Sequence, residues 1–342
     1  MRFPLPIESI VTQATAEPPA GGSEIGRSRE GRAIRGFRLG SGPTRISLIA
    51  GCHADEPVGP ALLDRLVAYL AELDARAPLL AELSWSIVPH VNPDGAERNR
   101  TWSTAIGKSD AGASVFDLGL YLKHVAREPP GDDIEFGFPR GPNDSEARPE
   151  NRAVAEFLRA GAPFGLHGSF HGMAFAAGPW FLLEPSWVER TAGLRETLRA
   201  QVSALGYRVH DVDRRGEKGF HRIDAGFSTR PDSRAMAEYF LERGDPATAG
   251  LFRPSSMEFV RALGGDPLTL VSEVPLFLLP GGLAALPDAG PPAAIQALRA
   301  RAAALAPEAL AAAGAELGLA PMPLEDQMRL QLAFLNAALA LL

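Results

Sequence analysis

The chain has 342 residues, 46% of them hydrophobic and 22% charged, with 34 basic against 41 acidic side chains and a net charge of −7. That balance belongs to a globular protein with enough apolar material for a large core, and it excludes the basic face of a general nucleic-acid binder. A single cysteine excludes intrachain disulfides.

No apolar run approaches a membrane span, and the start, MRFPLPIESIVTQATAEPPAGG, lacks the sustained apolar core of a secretory signal. The expectation is a cytoplasmic protein with neither a nucleic-acid nor a membrane partner. Residues 24–51, EIGRSREGRAIRGFRLGSGPTRISLIAG, predict alternating strands joined at glycine turns. The last run, Arg45–Cys52, is almost continuously apolar, as in a strand buried on both faces. GCHADEPVG follows, with His53 just past that strand and Glu56 at the start of a helix. Val58, Leu62, Leu66, Val67, Leu70 and Leu73 recur at helical spacing and predict that helix. LSWSIVPHVNPDG (Leu83–Gly95) predicts a second buried strand closed by an Asn-Pro-Asp-Gly turn.

Residues 103–149 are polar, rich in Gly and Pro and poor in periodicity. A stretch that long inside a compact domain is usually functional or mobile. PENRAVAEFLRAG predicts a short helix leading into a histidine-rich strand, FGLHGSFHG, and WFLLEP predicts another strand. A helix is expected between Ser186 and Leu205, and PLTLVSEVPLFLLP reads as a long apolar strand carrying Glu273. Strands alternating with helices predict an α/β sheet. From about Gly282 the sequence turns Ala-rich and helical, divided by Pro307 and Pro321. The expected organisation is an N-terminal extension (1–23), a main domain (24–281) and a helical C-terminal extension packed on it (282–342).

His53 and Glu56 stand three apart past the carboxyl end of a buried strand, where ligands gather in open α/β sheets. Neutral imidazole and carboxylate both suit Zn²⁺. The same spacing also fits an ordinary helix start, with Glu56 favoured by the helix dipole. A third ligand must come from elsewhere, and FGLHGSFHGM offers His167 and His171. On one strand they share a face but stand roughly 13 Å apart, at about 3.3 Å per residue. One ion cannot take both unless the strand breaks at Gly168, and His171 is nearer the expected carboxyl end. Glu273 is either a core carboxylate paired with an arginine or a general base.

The set EGRAI, ISLIAGCHADEPVG, IVPHVNPDGAERNRTW, AEFLRAGAPFGLHGSFHG and LTLVSEVP resembles the zinc carboxypeptidase family, in the family's order, across about Glu24 to Pro280. The resemblance implies a mixed, mostly parallel sheet flanked by helices and one zinc ion. It implies His53, Glu56 and His171 as the ligands, the Ser-x-His pattern at Ser169–His171 favouring His171 over His167. It makes Glu273 the general base and places the oxyanion-stabilising arginine at Arg98 or Arg100. The family's D-x-N-R motif, whose Asn and Arg clamp a terminal carboxylate, is expected at FDLGLYL. Gly119 and Leu120 stand there instead, so Arg127 or Arg230 is expected to replace the clamp. The implied function is a zinc metallopeptidase, carboxypeptidase-like, acting on a peptide. An N-acyl amino acid deacylase similar to succinylglutamate desuccinylase and aspartoacylase is the alternative, with an acylated amino acid as substrate. A non-catalytic metal-binding relative is the third.

Overall fold

The computed structural model describes residues 4–13, 22–281 and 292–342. The expected boundary at 282, and residues 14–21 of the expected N-terminal extension, lie outside the described residues.

Twelve strands are present among the described residues: β1 (Ser23–Arg27), β2 (Ala33–Leu39), β3 (Thr44–Ala50), β4 (Leu83–Val88), β5 (Ile106–Lys108), β6 (Ser114–Phe116), β7 (Leu166–Ala176), β8 (Trp180–Leu183), β9 (Arg222–Asp224), β10 (Phe227–Thr229), β11 (Leu268–Leu278) and β12 (Ala320–Pro321). Ten of them form one sheet in the order β1-β2-β4-β3-β7-β11-β8-β10-β9, with β12 added to β11; β5 and β6 make a separate hairpin. The centre, β4-β3-β7-β11, is parallel, whereas β1-β2, β2-β4 and β11-β8 run antiparallel. The sheet is therefore mixed with a parallel heart, and helices cover both faces.

Alternation along β3 shows why its residues are apolar on both sides. Ile46, Leu48 and Ala50 enter the larger core, while Ile49 enters a second core on the opposite face. The helix Val58–Glu72 buries Val58, Leu62, Leu63, Leu66, Val67 and Leu70 against the first face. The helix Pro149–Gly161 buries Val154, Phe157 and Leu158 in the second core.

The helix Leu324–Leu339 belongs to the first core through Met328, Leu332, Phe334 and Leu335. Its Asn336 exchanges two hydrogen bonds with the backbone of Leu5, which ties the two ends of the described chain together. Its Gln331 donates to the His171 carbonyl at 3.0 Å and to Ser272 Oγ at 3.2 Å, bridging β7 and β11 from behind. Among the described residues no helix is long and apolar enough to cross a membrane.

Two local expectations are corrected. Asn-Pro-Asp-Gly does not close a strand as a free turn; it starts the helix Pro93–Ser103. Asn92 caps that helix by accepting from the Gly95 N–H, and Pro93 sits where a helix has no N–H to satisfy. β7 runs unbroken through Gly168 and continues past His171 to Ala176.

Candidate metal centre

β3 ends at Ala50, level with Phe170 of β7 in the parallel register. Gly51 then takes φ +71°, and its N–H and carbonyl neighbourhood is met by the chain from the next crossover: Val91 N–H bonds to Ala50 O and Asn92 N–H to Gly51 O. That left-handed turn is open to glycine and strained for other residues. It swings His53 back over the strand end while Glu56 remains just ahead of the helix Val58–Glu72.

His53, Glu56 and His171 consequently converge. His53 Nδ1 is 2.7 Å from Glu56 Oε1, His171 Nδ1 is 2.9 Å from Glu56 Oε2, and the two Nδ1 atoms are 3.2 Å apart. Two donors each about 2.0–2.1 Å from a tetrahedral zinc would stand roughly 3.3 Å apart, so the spacing and the chemistry of this donor set fit the ion. His167 is elsewhere. It is fully buried, its Nδ1 lies 2.8 Å from Ser47 Oγ, and burial holds its pKa down to about 3, with Arg230 adding to the effect.

Without a metal the cluster holds protons. Burial lowers the His53 pKa, but Glu56 and Asp133 outweigh burial and Arg127, and lift it to about 10. His171 is likewise raised, by Glu56 and the groups around its other nitrogen against the opposing cost of burial. Burial would raise Glu56, but the two imidazoles hold it well below the usual carboxylate range. A metal must displace these protons to bind.

Glu273 of β11 is the direct register partner of His171 on β7, so both side chains rise from the same face. Burial, then the Glu56 charge, push its pKa up to about 8, against the pull of His171, His53 and Arg127. A carboxyl poised near neutrality beside a metal cluster is suited to carrying a proton.

The arginines separate clearly. Arg127 reaches the cluster, with Nη1 3.5 Å from Asp55 Oδ2 and Nη2 3.5 Å from Glu56 Oε1, and its side chain is about half exposed. Arg230 does not. It is buried against Glu184 (2.9 Å) and Thr269 Oγ1 (3.1 Å), the latter near the start of β11 and four residues before Glu273. Arg98 turns to Glu30 and Glu128, and Arg100 is an exposed residue paired with Glu97 on its own helix. The expected oxyanion role of Arg98 or Arg100 is therefore corrected: their guanidinium groups are held by carboxylates outside the cluster.

The expected clamp position, FDLGLYL, forms the start of a helix. Asp117 of FDLGLYL caps the helix Leu118–His124, and Gly119 faces Pro307, where an added Cβ would come within 1.9 Å of its carbonyl oxygen. That segment packs on the C-terminal helices. The D-x-x-x run that does lie at the ligands is Asp133-Ile134-Glu135-Phe136. Asp133 Oδ1 is 3.5 Å from His53 Nε2, and Glu135 Oε2 is 3.1 Å from His171 Nε2. Two carboxylates of this segment thus face the two histidines. Sequence reasoning passed over both carboxylates; the aperiodic stretch they belong to was the available signal. Cys52, adjacent to His53, approaches His171 and Glu135 instead, and burial pushes its thiol up to about 12.

The family model described as zinc carboxypeptidase matches residues 20–242. The chain belongs to the zinc carboxypeptidase family. Within the family, zinc carboxypeptidase A 1 of Anopheles gambiae is 36% identical over 87 residues, covering 23% of this chain and 20% of that protein. The match thus spans about a fifth of that relative's length. Solved structures similar to this zinc carboxypeptidase family member include carboxypeptidase A from Helicoverpa armigera, at 13% identity and TM-score 0.45, covering 93% of this chain and 68% of that one. Another is a metallo-carboxypeptidase from Burkholderia cenocepacia, at 18% identity and TM-score 0.42, covering 98% and 66%.

Proposed function

We propose that this chain is a zinc metallopeptidase that hydrolyses an amide bond of a peptide. The observation that carries the reading is the convergence of His53, Glu56 and His171 with Glu273 facing them from the neighbouring strand. His53 and His171 would hold a single Zn²⁺ through Nδ1, and Glu56 through its carboxylate. Zinc in such a set supplies Lewis acidity toward a carbonyl and acidifies water.

Glu273 takes a proton from the attacking water and delivers it to the amide nitrogen as the C–N bond breaks, leaving an acid and an amine. Arg127, half exposed beside Glu56, is the guanidinium that meets the substrate's carbonyl or terminal carboxylate. With Gly119 and Leu120 where the resemblance expects an Asn-Arg pair, a terminal carboxylate has Arg127 as its cationic partner beside Glu56.

Metal analysis after metal-replete purification, followed by mass-spectrometric screening of a peptide library, tests the reading. One zinc per chain and cleavage that stops on chelation are expected. A chain that takes up no zinc, or a zinc-loaded chain that cleaves N-acyl amino acids and no peptide, would overturn it.

A further inference from the structure

Glu135 occupies a position that the reaction just described does not use, yet its carboxylate is buried and turned toward a ligand. The residue is 5% exposed. Oε2 lies 3.1 Å from His171 Nε2, on the side of the ring away from His53 and Glu56, and Oε1 is buried with no hydrogen-bond partner. Removing a carboxylate from water to this extent is costly unless a polar group answers it. His171 is that group.

The segment around Glu135 is firmly held. Ile134 and Phe138 are fully buried in the second core, Asn151 Nδ2 donates to the Ile134 carbonyl at 2.8 Å, and Phe138 N–H donates to Pro254 O. Asp133 Oδ1 accepts from the Glu135 N–H at 2.8 Å. Phe136 packs edge-on against Phe252. Glu135 therefore presents a fixed acceptor.

The ring has a second neighbour at the same nitrogen, Ser169 Oγ at 2.8 Å. A hydroxyl can accept from Nε2–H or donate to a bare Nε2, so Ser169 leaves both tautomers open. An ionised carboxylate only accepts. We infer that Glu135 is a positioning residue for the metal centre: it holds the proton of His171 on Nε2 and so keeps the Nδ1 lone pair directed at the point shared with His53 and Glu56. The inference rests on the zinc reading. Partners of this kind behind a ligating histidine change metal affinity by about 10–100-fold when removed.

The test uses the full chain and zinc alone. Chelator-competition titration should show zinc binding by Glu135→Leu, which removes the acceptor, weakened about 10–100-fold, while Ser169→Ala stays within about 3-fold of the parent. Long-range ¹H–¹⁵N spectra of the zinc-loaded parent protein need no variant and should show His171 protonated at Nε2. A parent protein that binds zinc with His171 protonated at Nδ1 would overturn the inference, as would undiminished affinity in Glu135→Leu. A parent protein that binds no zinc would instead remove the metal reading beneath it.

Discussion

His171 and Glu273 are Cα partners on adjacent parallel strands, β7 and β11, so a candidate metal ligand and a candidate proton carrier rise side by side from one sheet face. Their spacing is set by the sheet and not by a loop, which favours a precise site. The glutamate sits in an otherwise apolar strand because the neighbouring strand gives it a cluster to face. Glu273→Gln keeps the shape and removes the exchangeable carboxyl proton. Zinc content should be unchanged while peptide hydrolysis falls by at least about 10²-fold. Retained turnover in a zinc-replete Glu273→Gln protein would mean that another group carries the proton.

The two histidines of β7 should part company under substitution. His171→Ala removes one of three converging donors and should abolish stoichiometric zinc uptake. His167→Asn should retain it, because His167 is fully buried and engaged with Ser47. Equilibrium dialysis followed by elemental analysis reads both. Zinc lost from His167→Asn and kept by His171→Ala would reverse the ligand assignment.

Much of this site was legible through the resemblance, whose motifs fall on segments that pattern as strands. His-x-x-Glu at the end of β3, a Ser-x-His on β7 and a Glu in β11 each mark a strand, and strands are the elements that patterning locates best. The carboxylates of Asp133 and Glu135 were hidden for the opposite reason. Asp117 and Asp133 both lie in an aperiodic stretch, and nothing local says which of two acidic segments returns to the metal. The answer depends on tertiary packing: Gly119 is claimed by Pro307, whereas Ile134 and Phe138 are claimed by the core behind β7. The arginines were unreadable in the same way, since a guanidinium reaches several ångströms from its backbone and its partners are set by the fold.

Arg127 and Arg230 should fail differently. Arg127→Ala should raise KM or lower kcat with little change in stability, because its side chain is half exposed and its ion pairs are long. Comparing peptides with free and amidated C termini shows whether it reads the carboxylate: a preference for the free acid should disappear in the variant. Arg230→Ala should destabilise by about 1.5–3 kcal/mol, since buried Glu184 would lose its shortest ion pair and keep Thr269 and the longer contact to Arg261 at 3.5 Å. Urea unfolding measures that cost. A silent Arg230→Ala in urea would show that Arg261 and Thr269 suffice to hold Glu184.

Acid stability should report His167. Its pKa in the folded chain is held down to about 3 by burial, then by Arg230, against about 6.5 in an unfolded chain. Above about pH 6.5 both states carry the neutral ring and there is no cost. As pH falls from about 6.5 toward about 3, the unfolded chain takes up a proton that the folded chain refuses, so stability is lost over that window. The group contributes a slope of up to about 1.4 kcal/mol per pH unit. Because His53 and His171 titrate in the parent and the variant alike, the difference between two unfolding series isolates His167. His167→Asn should show the shallower decline between about pH 6 and pH 4. Parallel declines would mean that the folded chain protonates His167 as readily as the unfolded one, and that its burial beside Ser47 does not keep the ring neutral.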